Sequence, residues 1–135
     1  MRPYLLLTPG PLTTTDTVKQ AMMSDWCTWD EDYNLGIVEV IRKELVEIAT
    51  GTSDEYTAVL MQGSGSFCVE ATLGSVVRPE DKLLVAANGA YGKRMGIISE
   101  YYHIDCHVMR FEEIEPVNAN KIDTYLNEHP EVTHV

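Results

Sequence analysis

Apolar residues at Tyr33, Ile37, Val40, Ile41, Leu45 and Ile48 recur at spacings of four, three, one, four and three. That rhythm places them on one stripe of a helix and predicts a buried face over this segment, closed by Gly51. Before it, Thr15 or Asp16 is placed to cap a short helix reaching about Met23, with Val18, Ala21 and Met22 inward. Downstream the pattern changes. "YTAVLMQ" (56–62) is short, apolar and β-prone, reads as a buried strand, and runs into a helix from Ser66 to about Val77. "KLLVAA" (82–87) predicts a second strand, Lys93 to Tyr102 a crossover helix, and "IDCHVMR" (104–110) a third strand. A helix over 118–128 and a fourth strand beginning at Val132 close the chain.

Strands alternating with helices define an α/β fold, a mainly parallel sheet with helices on both faces. The closing "VTHV" reads as a strand cut off as it begins, so the chain is expected to be incomplete. Residues 1–30 are expected to form an N-terminal arm and short helix, and 31–135 the first part of a larger domain.

Charge and cysteine usage narrow the partners. Ten basic residues against 21 acidic ones leave a net charge of -11, which argues against nucleic acid, whose backbone is gripped by clustered Lys and Arg. The three-leucine run near the N-terminus is too short for a signal-peptide core, and no segment approaches the roughly 20 apolar residues of a spanning helix, so no membrane partner is expected. Cys27, Cys68 and Cys106 are widely spaced, which suits a reducing cytoplasm better than a disulfide framework.

The candidate chemistry lies in two loops. In "LMQGSGSFCVEA" (60–71), Gly63 and Gly65 allow a tight turn and close backbone approach, Ser64 and Ser66 offer hydroxyls, and the helix that follows begins with unpaired amides. Such a start suits an anion, although any strand-to-helix turn favours Gly and Ser. A dinucleotide fingerprint would need glycine where Cys68 stands and an acidic residue after "VAAN", and a Walker loop would need a following lysine. An NAD or S-adenosylmethionine module therefore remains only the alternative. The second loop, "NGAYG" (88–92), follows a strand and should share the carboxyl edge of the sheet with the first. Its Tyr91 can lay a flat ring over a cofactor ring or pack on its own helix. One phosphate cradle and one aromatic plate together fit pyridoxal 5'-phosphate.

Read in order, "YLLLTPGPLTT", "CTWDEDYN", "QGSGSFCVEA" and "NGAYGKRM" resemble the N-terminal part of class V aminotransferases, fold-type I pyridoxal-phosphate enzymes. Within that group the motifs resemble those of the enzymes that move an amino group from 2-aminoethylphosphonate to pyruvate, giving phosphonoacetaldehyde and L-alanine in phosphonate degradation. The resemblance implies a homodimer in the full-length form. It implies that Ser64, Gly65 and Ser66 hold the cofactor phosphate and that Tyr91 stacks on its ring, with Thr8 to Pro11 near the substrate entrance.

None of Lys19, Lys43, Lys82, Lys93 and Lys121 stands in the family's Schiff-base context, and the carboxylate for the pyridine nitrogen comes from later strands. No catalytic residue is therefore assigned within the chain, which alone is expected to be inactive. Lys93, on the first turn of a helix, is expected to face solvent, and Arg94 is a candidate for phosphonate by position. Asp30, Glu31 and Asp32 are read as charges favouring a helix start rather than metal ligands, so no metal is assigned. His103 and His107 are expected to share one face of a strand with Cys106 on the other. Trp26 and Trp29 are expected at a subunit contact. The resemblance also implies that "YTAVLMQ" and "KLLVAA" share no ladder, so that the isolated chain is unstable or rearranged.

Overall fold

A computed structural model describes residues 4–50 and 54–135. The chain divides into two compact units, Met1–Leu60 and Met61–Val135.

The first unit is helical. It holds α1 (Asp16–Ala21), α2 (Glu31–Tyr33), a π-helical turn (Asn34–Val38) and α3 (Glu39–Thr50). The Asn34 side-chain amide donates to the carbonyls of Thr28 and Asp30, at 2.7 and 3.2 Å, and so ties the turn to the loop before it. A π turn accommodates one residue more than an α turn, which offsets the helical stripe by about one position. Val46 is accordingly the buried residue of α3, next to the expected Leu45, while Val40, Ile41, Leu45 and Ile48 are exposed. Gly51, expected to end the helix, lies outside the described residues.

The expected strand at 56–62 does not form. Its residues carry no ladder, and Tyr56, Val59, Leu60 and Met61 are exposed. Arg42 takes the place of a partner strand: its Nε donates to the Ala58 carbonyl at 2.9 Å and its Nη2 to Thr57 Oγ1 at 2.7 Å. An apolar run of this length is a strand only when a second backbone is present to pair it.

The second unit contains α4 (Gly65–Val76), β1 (Lys82–Ala87), α5 (Ala90–Tyr101), β2 (Asp105–Arg110) and α6 (Ala119–Glu128). β1 and β2 pair in parallel from Lys82↔Asp105 to Ala87↔Arg110. The expected fourth strand is one parallel bridge, Leu83↔His134, on the other side of β1, where the Leu84 amide donates to the His134 carbonyl at 2.9 Å. β1 is thus central, and its Leu83, Leu84, Val85 and Ala87 are buried.

Alternation along β1 sends Leu83, Val85 and Ala87 to one face, where they meet Leu73 and Val69 of α4 and Met95 and Ile98 of α5. Both helices therefore lie on the same face of the sheet. On the opposite face, His107 of β2 stacks on Tyr125 of α6 with ring centroids 4.7 Å apart, and Tyr125 in turn stacks on His129 at 4.1 Å.

Asp81 anchors the turn into β1. Its buried carboxylate accepts from the Arg78 amide at 2.9 Å and from Arg78 Nε at 3.1 Å. These donors, the backbone amide first, hold its pKa below the ordinary carboxylate value.

His103 is not in the strand. It occupies the left-handed turn that ends α5, at φ 57°, so it does not share a β face with His107. Burial raises the pKa of the Cys106 thiol, partly countered by a hydrogen bond with Ser99. Among the described residues no three His, Cys, Asp or Glu side chains cluster as metal ligands, and none of the helices is long and apolar enough to cross a membrane.

Candidate functional site

The Gly/Ser loop opens α4 one residue earlier than its sequence suggests. Ser64 is the N-cap, extended at φ -77° and ψ 162°, and its Oγ accepts from the Phe67 amide at 3.2 Å. The Cys68 amide donates to the Ser64 carbonyl at 3.0 Å, leaving the amides of Gly65 and Ser66 ahead of the helical ladder at its positive end. Gly63 has φ +147°, and a Cβ there would stand 2.7 Å from Phe67 Cδ1. Only glycine sits easily at that entry.

The second loop turns off the carboxyl end of β1. Gly89 is the N-cap of α5, and the Lys93 amide donates back to its carbonyl at 3.1 Å. Gly92 has a role that flanking a turn did not suggest: a Cβ there would lie 2.6 Å from Ala87 Cα. Its missing side chain lets the first turn of α5 press on the end of β1. Gly96 does the same one turn later, where a Cβ would meet Val108 Cγ2 at 2.8 Å.

Tyr91 is the second residue of α5 rather than a loop residue, and it is 68% exposed. Residues three apart on a helix are neighbours, so Arg94 meets Tyr91 while Lys93 points elsewhere. The Arg94 guanidinium carbon lies over the Tyr91 ring, 5.7 Å from its centroid, and Arg94 Nη1 donates to Ser66 Oγ at 2.6 Å. Ser64, Gly65, Ser66 and Tyr91 are thereby gathered at one end of the unit, with Arg94 between cradle and ring. Arg94, a candidate by position alone, is the residue whose part in this arrangement the spacing of motifs did not reveal. Its signal in the sequence is the i, i+3 relation to Tyr91.

The donor chemistry suits an anion. Ser64 Oγ and Ser66 Oγ each already accept a hydrogen bond, so each keeps its own hydroxyl hydrogen to give. Two hydroxyls, two helix-start amides and a guanidinium form a set made of donors, which fits a phosphate ester with oxygens and no hydrogens to offer. The exposed Tyr91 ring fits a planar group beside it. The residues present therefore fit pyridoxal 5'-phosphate.

A nucleotide fits less well, since Cys68 stands half-buried where a third glycine belongs and β1 ends in Ala86 and Ala87 without a carboxylate for a ribose.

Other flagged residues lie apart from this chemistry. Lys93 Nζ is 3.0 Å from Glu113 Oε1, both exposed. Lys19 pairs with Asp16, and Lys82 lies near Asp105 and Glu131. In the first unit, the Thr8 hydroxyl donates to the Pro11 carbonyl in an exposed turn. Asp30 is the N-cap of α2, with Glu31 and Asp32 in its first turn. Trp29 is exposed, and Trp26 lies 6.3 Å from Tyr33, ring centroid to centroid.

The class of fold is an aminotransferase one. The chain superposes on the crystal structure of alanine–glyoxylate aminotransferase from Nostoc sp. with a TM-score of 0.80 at 24% identity, covering 99% of this chain and 35% of that one. Its sequence is similar over its whole length to that of 2-aminoethylphosphonate–pyruvate transaminase from Bacteroides fragilis strain YCH46, 62% identical over 135 residues and 37% of the relative. The transaminase of the same name from Vibrio vulnificus strain CMCP6 is 55% identical over 132 residues, 98% of this chain and 36% of the relative. The chain thus spans little more than a third of these relatives' length. No protein-family model matches it.

Proposed function

We propose that these residues form the cofactor-phosphate end of a pyridoxal-phosphate-dependent aminotransferase that moves the amino group of 2-aminoethylphosphonate to pyruvate, yielding phosphonoacetaldehyde and L-alanine. The observation that carries the reading is the Arg94 link, which joins Ser66 of the cradle to the Tyr91 ring. The span from an anion cradle to a flat ring is what a phosphorylated pyridine needs. The 62% identity to a 2-aminoethylphosphonate–pyruvate transaminase supports this choice of substrates.

In this reading the Gly65 and Ser66 amides and the Ser64 and Ser66 hydroxyls hold the phosphate, and Tyr91 fixes the plane of the ring. When bound, the cofactor supplies an electron sink for removing a proton beside the transferred amino group. The lysine that moves this proton, and the carboxylate that keeps the pyridine nitrogen charged, are outside these 135 residues, which by themselves turn over no substrate. Lys93 is an unsuitable substitute, engaged as it is with Glu113. The assembly proposed is a homodimer in the cytoplasm, a setting consistent with three free cysteines.

The test uses the full-length protein that contains this chain. Incubated with 2-aminoethylphosphonate and pyruvate, it should form L-alanine and show the visible absorbance of a bound pyridoxal group. Absence of both the absorbance and pyruvate-dependent alanine formation would overturn the reading.

A further inference from the structure

Resting on that reading, we infer that Arg94 is a positioning residue: it locks the phosphate cradle to the ring platform and makes the site selective for a phosphorus oxoanion. Three features carry this. Arg94 reaches both halves at once, donating to Ser66 Oγ at 2.6 Å while its guanidinium carbon lies 5.7 Å from the centre of Tyr91. By occupying a lone pair of Ser66, it turns that hydroxyl's hydrogen outward, toward whatever anion the cradle receives. By lying on one face of Tyr91, it leaves the opposite face for a planar ligand.

The charge argument is independent of these contacts. In a chain of net charge -11, Arg94 makes no ion pair among the described residues, whereas its neighbour Lys93 is 3.0 Å from Glu113. An arginine left without a carboxylate in so acidic a protein keeps its charge and four further N–H donors for a ligand. Its planar fork matches the oxygens of a phosphate or phosphonate, a match lysine does not reproduce. The cofactor's phosphate is the anion assigned here. The substrate's phosphonate shares the same chemistry, and the experiment separates the two.

The experiment uses the full-length protein with Arg94→Met and Arg94→Lys, each checked for folding by thermal unfolding. Pyridoxal 5'-phosphate, pyridoxal and inorganic phosphate serve as probes. Arg94→Met should weaken pyridoxal 5'-phosphate by about tenfold to hundredfold and leave pyridoxal unchanged, as the loss of one charge-assisted hydrogen bond requires. Arg94→Lys should recover part of that affinity. The circular dichroism of the bound cofactor should change in both variants, because neither lays a planar guanidinium over Tyr91. Unaltered cofactor affinity with a raised KM for 2-aminoethylphosphonate assigns the oxoanion to the substrate and sustains the inference. Equal weakening of pyridoxal and its phosphate, with an unchanged dichroism band, overturns it.

Should Arg94→Met fail to fold, Arg94→Lys decides alone: affinity for the phosphate ester and dichroism both equal to those of the unaltered protein would reject the assignment. If the unaltered protein binds no pyridoxal phosphate, the functional reading fails separately. Inorganic phosphate then decides Arg94, through a rise in melting temperature that Arg94→Met and Arg94→Lys reduce or leave intact.

Discussion

In Met61–Val135, Leu73, Leu83, Leu84, Val85 and Ala87 are buried between a parallel strand pair and its helices, whereas among the described residues of Met1–Leu60 the buried apolar side chain is Val46. Both units are rich in apolar residues. The second has a ladder to arrange them against, and alternation along β1 feeds both of its faces. The first has helices with apolar stripes, and its last residues, 56–60, form no strand. Hydrophobic composition alone does not make a core. A core also needs backbone partners that hold apolar faces opposite one another.

This contrast can be broken most directly by truncating a side chain in each unit. Leu84 is 0% exposed and Ile48 84%. Leu84→Ala should cost about 2–5 kcal/mol in denaturant unfolding, and Ile48→Ala should stay within about 0.5 kcal/mol. Equal costs would mean that Ile48 is as buried in solution as Leu84.

Glycine substitutions should follow next in size, and with opposite signs. Gly92→Ala forces a Cβ to within 2.6 Å of Ala87 Cα and should destabilise by about 1–3 kcal/mol. Gly36, in the π-helical turn of the first unit, has nothing within 4 Å of an added Cβ. Gly36→Ala should therefore stabilise by up to about 1 kcal/mol, read from the melting midpoint.

Helix caps sharpen the comparison at a smaller scale. Ser64 caps α4 through its hydroxyl, while Thr15, the N-cap of α1, makes no side-chain cap bond. Ser64→Ala should cost about 1 kcal/mol, and Thr15→Ala should be within about 0.5 kcal/mol of neutral. Circular dichroism melts would distinguish the two.

The smallest effect is confined to acid. Asp81 has a lowered pKa in the folded state, so its contribution is fully present above the unfolded value of about 3.9 and is lost as pH falls through the lowered folded value. Asp81→Asn should flatten that part of the stability–pH curve in the second unit. An unchanged acid limb would show that the Arg78 donors do not favour the carboxylate in solution.

Much of the second unit was legible because its signals are local. "KLLVAA" and "DCHVMR" carry the β-prone runs that became β1 and β2, and the amphipathic segment at 118–128 became α6. A helix start near Ser66 was legible because such signals are local, and the structure moves it one residue earlier, with Ser64 as the N-cap bonded to the amide three positions on. The strand at 56–62 was misread because pairing is a property of two segments, which the apolar pattern of one segment does not report. Val46 was missed because a π turn shifts the helical phase, which a count of 3.6 residues per turn assumes constant. His103 lies in a left-handed helix end, a backbone choice that its side chain does not announce.

By itself the sequence determined which segments would be helical and where the glycine-rich turns fall, and it offered Ser64, Gly65, Ser66 and Tyr91 as candidates. Those features depend on neighbours within a few positions, where local geometry dominates. Only the tertiary structure decided that β1 is the central strand, that α4 and α5 share one face of the sheet, and that Arg94 reaches Ser66, 28 positions away. Contacts at that separation follow from how layers pack, which no short window of residues contains.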